Sequence, residues 1–180
     1  MYPVDGAASA YELDADLRLV SVDEAWTAFA LANAAPELVP PGPLGRPVLD
    51  EISDPMTRRL YHDLLARLGA SGRSVTFAIR CDSPALRRFL DLSITPLAAG
   101  FRFRSTLRRV EPNPGGAVLE AGIPRGGGLL RICSWCKRVD VRGAWEELDV
   151  AVPASGLLET GRLPPVTHGI CDECLARMDA

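Results

Sequence analysis

From Val75 to Arg108 the chain alternates apolar and polar positions with period two in three successive runs. Val75, Phe77 and Ile79 alternate with Thr76, Ala78 and Arg80. Leu90, Leu92 and Ile94 alternate with Asp91, Ser93 and Thr95. Phe101, Phe103, Ser105 and Leu107 alternate with Arg102, Arg104, Thr106 and Arg108. Such alternation predicts strands with one buried and one wet face, and Ala98-Ala99-Gly100 a tight connection between the last two. Upstream the period lengthens. Val22, Ala25, Trp26, Phe29 and Ala30 recur at helical spacing behind Asp23, and Trp26 and Phe29 read as core. Leu60, Tyr61, Leu64, Leu65 and Leu68 form the stripe of a longer helix. Asp54-Pro55 opens it as an N-cap followed by proline at the first helical position, and Gly69 is its expected stop. Nearest the N-terminus, Tyr11 to Leu13 and Leu17 to Val22 flank the acidic turn Asp14-Ala15-Asp16, which predicts a hairpin. Two strands, helices and three strands give an α+β fold, an antiparallel sheet with helices packed on one face.

This element order, with the wording YELDADLRLVSVDEAW, GRPVLDEI and the three closing strands, resembles the PAS fold over residues 9–111. RCDSP, Arg80 to Pro84, resembles a signature of one PAS subgroup. The resemblance implies a five-stranded antiparallel sheet, helices on one face, and a small pocket that can take an unidentified small ligand. It makes this region a PAS-like sensory domain. Haem in such a pocket needs a histidine, and His62 is the sole one there; its spacing beside Tyr61 places it on the polar face of its helix.

After the last strand the pattern stops. Residues 112–128 read as a Pro/Gly-rich linker, followed by a module at 129–180 with few large apolar residues: Leu129, Leu130, Trp135, Trp145, Leu148, Leu157, Leu158, Leu163 and Leu175. So small a core is marginal unaided, and a bound metal commonly supplies the deficit. The module carries two CxxC pairs, Cys133/Cys136 and Cys171/Cys174. Paired thiols of this kind can close a tetrahedral shell around zinc, and soft thiolates favour zinc or an iron–sulfur centre over magnesium or calcium. The expected metal ligands are therefore Cys133, Cys136, Cys171 and Cys174, with structural zinc as the cofactor. His168 lies three residues before Cys171 and stands either as a group supporting a ligand or as an alternative ligand. Covalent haem is excluded, because Lys137 and Leu175 occupy the positions where a histidine must follow each pair. Cys81, at a strand end, reads as a buried structural thiol.

ICSWCK, GAWEELD and THGICDEC together resemble the CxxC/HGIC-x2-C zinc-ribbon-like segment that follows PAS or receiver domains in bacterial signalling proteins. The resemblance implies a signalling context and no particular reaction. Composition agrees with a cytoplasmic, globular chain: hydrophobic residues make up 47% and charged residues 24%, and no apolar run is long enough for a membrane helix. Net charge is −3. Residues 129–180 hold six basic and eight acidic side chains, and four thiolates around zinc add to the negative side. That balance argues against nucleic acid. No nucleophile motif is present, and a closed four-thiolate shell leaves no open position for catalysis. The sequence thus predicts a non-catalytic sensor or adaptor whose output is contact with a protein partner or a second copy. A zinc-ribbon-type nucleic-acid-binding regulator and a thiol-based redox or metal sensor are the alternatives.

Overall fold

The computed structural model describes residues 7–114, 116, 126, 129–154 and 164–178. Most of the stretch read as a linker, and Leu157, Leu158 and Leu163 of the expected core, lie outside the described residues. The elements in chain order are β1 (Ala8–Leu13), β2 (Leu19–Val22), α1 (Glu24–Ala32), α2 (Pro55–Ser71), β3 (Val75–Arg80), β4 (Leu86–Leu97), β5 (Gly100–Pro112), β6 (Leu130–Cys133), β7 (Val139–Val141), β8 (Ala144–Glu146), α3 (Leu148–Ala154), β9 (Val166–Gly169) and α4 (Asp172–Met178). Two short 3-10 turns, Pro36–Leu38 and Val48–Glu51, lie between α1 and α2. No described helix is long and apolar enough to cross a membrane.

β1 to β5 form a five-stranded antiparallel sheet in the order β2-β1-β5-β4-β3. The chain divides into two compact units. The first holds residues up to Ala78 together with Leu90–Arg109; the second holds Ile79–Phe89 and the chain from Val110 onward.

In the first unit the period-two pattern is realised as read. Phe77, Leu90, Leu92, Ile94, Phe101, Phe103 and Leu107 are buried, whereas Arg102, Arg104 and Arg108 are exposed. Two of these arginines have cross-strand acids: Arg102 reaches Glu12 at 2.6 Å, and Arg108 pairs with Asp91. In the β1–β2 turn the Asp14 carboxylate accepts from the amides of Asp16 and Arg18, both at 2.9 Å. Gly100 (φ +136°) is required where β5 starts, because a Cβ there would meet the Leu13 carbonyl at 1.9 Å. Asp23 caps α1 by accepting from the Trp26 amide at 2.8 Å, and Asp54 caps α2 through the Thr57 amide at 2.7 Å. Helix α2 does not stop at Gly69. It continues to Ser71, and Gly72, in the left-handed region at φ +66°, is the true cap. Gly69 sits inside the helix, where a Cβ would lie in ordinary contact, 3.5 Å from the Phe101 ring.

The second unit has its own four-stranded sheet, β8-β7-β6-β9, in which β6 and β9 are parallel and the other pairs antiparallel. Arg142 (φ +56°) and Gly143 (φ +92°) form the two-residue turn between β7 and β8. The core of this unit is Leu130, Ile132, Val139, Leu148 and Ala151. Leu129 and Leu175, expected inside, are instead exposed.

Candidate metal centre

The first CxxC pair begins at the end of β6 and rounds a tight bend. The Cys133 amide donates to the Arg138 carbonyl at 2.8 Å, and the Lys137 amide returns to the Cys133 carbonyl at 3.1 Å. Closing the bend places Lys137 in the left-handed region at φ +62°, an uncommon conformation for a residue with a Cβ. Its ammonium donates to the Ser134 carbonyl at 2.6 Å, and burial lowers its pKa. The second pair occupies the first turn of α4. Cys171 stands just before the helix and its sulfur accepts from the Cys174 amide at 3.4 Å, the role an oxygen plays at an ordinary N-cap. The parallel pairing of β6 with β9 sets Cys133 opposite Gly169, and the Ser134 amide donates to the Gly169 carbonyl at 2.8 Å. The two pairs are thereby brought together.

All four sulfurs, from Cys133, Cys136, Cys171 and Cys174, lie within 4.8 Å of one another. Cys136 Sγ and Cys171 Sγ are 3.6 Å apart. Tetrahedral zinc–thiolate geometry, with bonds of about 2.3 Å, sets sulfurs roughly 3.8 Å apart. The donor set therefore fits a metal such as zinc with small adjustments. Backbone amides support it: Cys171 N–H donates to Cys133 Sγ at 3.5 Å, and Cys136 and Arg138 supply further N–H groups to Cys133 and Cys136. Without a cation the four thiols cannot ionise together. Hydrogen bonds from Cys136 and Cys174 hold Cys133 far below the usual thiol range. The hydrogen bond to Cys133 pushes Cys136 up to about 12, and Cys174 is raised chiefly by its bonds to Cys133 and Cys136. A divalent cation removes that competition by neutralising the thiolates.

His168 lies on β9, in register with Ile132, and is not part of the four-sulfur group. Cys81 is exposed rather than buried. Cys81 follows the last residue of β3, Arg80, so the alternation of the strand no longer sets which way it faces. His62 is also exposed, 3.5 Å from the Asp63 carboxylate, on an open cleft of about 720 Å3 lined by Leu49, Asp50, Pro55, Arg58, Arg59, His62 and Asp63. Trp26 packs edge-on to Tyr11, which stacks on Phe103 with ring centroids 4.8 Å apart.

The sequence reading missed an ionic network in the same unit as the cysteines. Arg80 is 5% exposed and Arg87 7%. Arg80 forks onto the carboxylate of Asp82 and also pairs with Glu147 at 2.5 Å. Arg87 donates to Asn113 at 3.1 Å and to Asp149 at 2.7 Å. Glu147 also receives Arg138 at 3.4 Å, and Arg138 reaches Glu173 at 2.7 Å. Asn113, at the head of the stretch read as linker, is buried and donates to the Ser83 carbonyl at 2.8 Å. Gly116 is equally packed, since a Cβ there would meet the Pro84 carbonyl at 2.1 Å. The signal was present in RCDSP and in Glu146-Glu147, but a charged residue carries no mark of the partner that lets it be buried.

The chain matches no family model and no curated protein.

Proposed function

We propose that this chain is a non-catalytic signalling protein, a sensor or adaptor, in which the PAS-like sheet unit takes an input and the cysteine unit, cross-linked by structural zinc, makes contact with a protein partner or a second copy. The observation that carries the proposal is the closed set of four sulfurs held by backbone N–H groups, which leaves no position for a substrate. Cys133, Cys136, Cys171 and Cys174 would hold the ion. Zinc so bound supplies a cross-link between the β6 bend and the start of α4, and no redox chemistry. The five-stranded antiparallel sheet, with α1 and α2 inserted between its second and third strands, supports the PAS-like reading of the first unit.

Elemental analysis joined to native mass spectrometry of the full chain tests the proposal. The expected result is one zinc per chain and a defined protein complex, homodimeric or with a partner. A metal-free chain whose cysteine unit stays folded contradicts the structural-zinc role. Sequence-dependent DNA retention at low salt would replace the adaptor reading with the regulator alternative.

A further inference from the structure

The bend at residues 79–89 belongs to the same compact unit as the four cysteines, although it lies more than forty residues before the first of them in sequence. We propose that metal binding by the four sulfurs controls the order of this bend, so that residues 79–89 report the occupancy of the site; the inference rests on the zinc reading above. Three links carry it. The Arg80 amide donates at 2.7 Å to the carbonyl of Trp135, a residue enclosed within the first CxxC pair and 2% exposed. The Arg80 guanidinium, with its Asp82 partner, is completed by Glu147, and Glu147 is also held by Arg138, two residues beyond Cys136. Arg87 is completed by Asn113 and Asp149. The bend therefore buries two guanidiniums, and Arg80 is tied to the first CxxC pair directly through the Trp135 carbonyl and indirectly through Glu147 and Arg138. A buried charge deprived of its partner is far less stable than one exposed to water. If loss of the metal frees the Cys133–Cys136 bend, the Trp135 carbonyl and Glu147 shift, Arg80 keeps only Asp82 of its partners, and the bend opens more readily. Zinc has differential affinity for the ordered arrangement, and the coupling is reciprocal: whatever disorders the bend weakens the metal.

The test uses the full chain. Hydrogen exchange is followed with zinc bound and after a chelator has removed it, with metal content measured in each sample. The amides of Arg80, Cys81 and Ser83, bonded to Trp135, Arg88 and Leu86 carbonyls, are expected to exchange at least about tenfold faster without zinc, while those of β1 hold their protection. Unchanged protection at Arg80, Cys81 and Ser83 after verified zinc loss overturns the coupling and leaves the metal site intact. An equal acceleration throughout β1 also overturns it. In the reciprocal arm, Arg80→Gln is expected to weaken zinc about tenfold in competition with a chromophoric chelator, whereas Arg102→Gln leaves it unchanged. Native zinc affinity in Arg80→Gln overturns the proposal. A wild-type chain that binds no zinc fails the metal reading and this inference with it.

Discussion

Two residues separate backbone strain from side-chain chemistry cleanly. Arg142 and Gly143 form a turn in which both φ angles are positive, the geometry that joins tightly paired antiparallel strands and favours Asn-Gly. Arg142 is exposed, and nothing lies within 4 Å of a Cβ built on Gly143. Substitution there changes little except backbone preference. Arg142→Asn is expected to stabilise the cysteine unit by about 0.5–1 kcal/mol, and Gly143→Ala to destabilise it by about 1–2 kcal/mol. Chemical denaturation of the zinc-loaded chain measures both; equal midpoints for the two variants would contradict the turn assignment. Tyr11 gives a second test. Burial, with a smaller contribution from Tyr61, raises its pKa well above the usual phenol value. A raised folded-state pKa means that stability from the neutral phenol is complete below the unfolded pKa, about 10, and is lost as pH climbs beyond it. The wild-type chain is therefore expected to lose stability from about pH 10 upward. Tyr11→Phe is expected to flatten that alkaline limb while changing neutral-pH stability little, as read from thermal melts across pH 7–11.

At the scale of elements, α2 shows what a sequence can and cannot reveal. Its start was legible, because Asp54-Pro55 combines a capping oxygen with a residue that needs no N–H partner. Its end was misplaced by one glycine. Gly69 and Gly72 look equivalent in sequence, and only tertiary packing distinguishes them: one lies beside the Phe101 ring, the other carries the left-handed φ. They predict opposite responses. Gly69→Ala removes a helix-interior glycine at a site with room for a methyl, so it is expected to stabilise by about 0.5–1 kcal/mol. Gly72→Ala forces an alanine to positive φ and is expected to destabilise by about 1 kcal/mol. Differential scanning calorimetry on the pair decides it, and shifts of the same sign would refute the assignment of the cap. The strands were legible for a different reason. Alternation is a property of each strand alone, so the buried faces of β4 and β5 could be read without knowing their neighbours. The cysteine pairs were legible likewise, since spacing alone suggests metal. The lengths of β4 and β5 were not, because Leu86–Phe89 and Arg109–Pro112 lack a clean alternation and owe their form to partners elsewhere.

Those partners become visible only for the molecule as a whole. A reading along the chain sees residues 75–80 and 90–95 as parts of one sheet, and 129–180 as a separate module. Spatially, residues 79–89 are grouped with the cysteines, and their buried arginines pair with Glu147 and Asp149 as well as, for Arg80, with Asp82 on the bend itself. Asp82 is local, but Glu147 and Asp149 lie about sixty residues away, which no local pattern encodes. A chain shortened to residues 1–112 makes this dependence measurable. It keeps β1, β2, α1, α2 and the apolar faces of β3, β4 and β5, but loses Trp135, Glu147 and Asp149. In the fragment Arg80 keeps Asp82, whereas Arg87 loses Asn113 and Asp149, and leaving a buried charge without its partner costs about 3–5 kcal/mol, more than a hairpin bend gains from its own hydrogen bonds at about 1 kcal/mol each. The bend is therefore expected to open instead of remaining buried and unpaired. The shortened chain should melt cooperatively and protect the amides of Tyr11 and Leu13, while those of Arg80 to Arg88 exchange at near-unfolded rates. Arg80 and Arg87 should then tolerate replacement by glutamine in the fragment with almost no change in melting temperature, whereas the same substitutions in the full chain should cost several degrees. Native-like protection across residues 80–88 in the fragment would show that the bend is held by its own strands, and that the acids of the cysteine unit are bystanders.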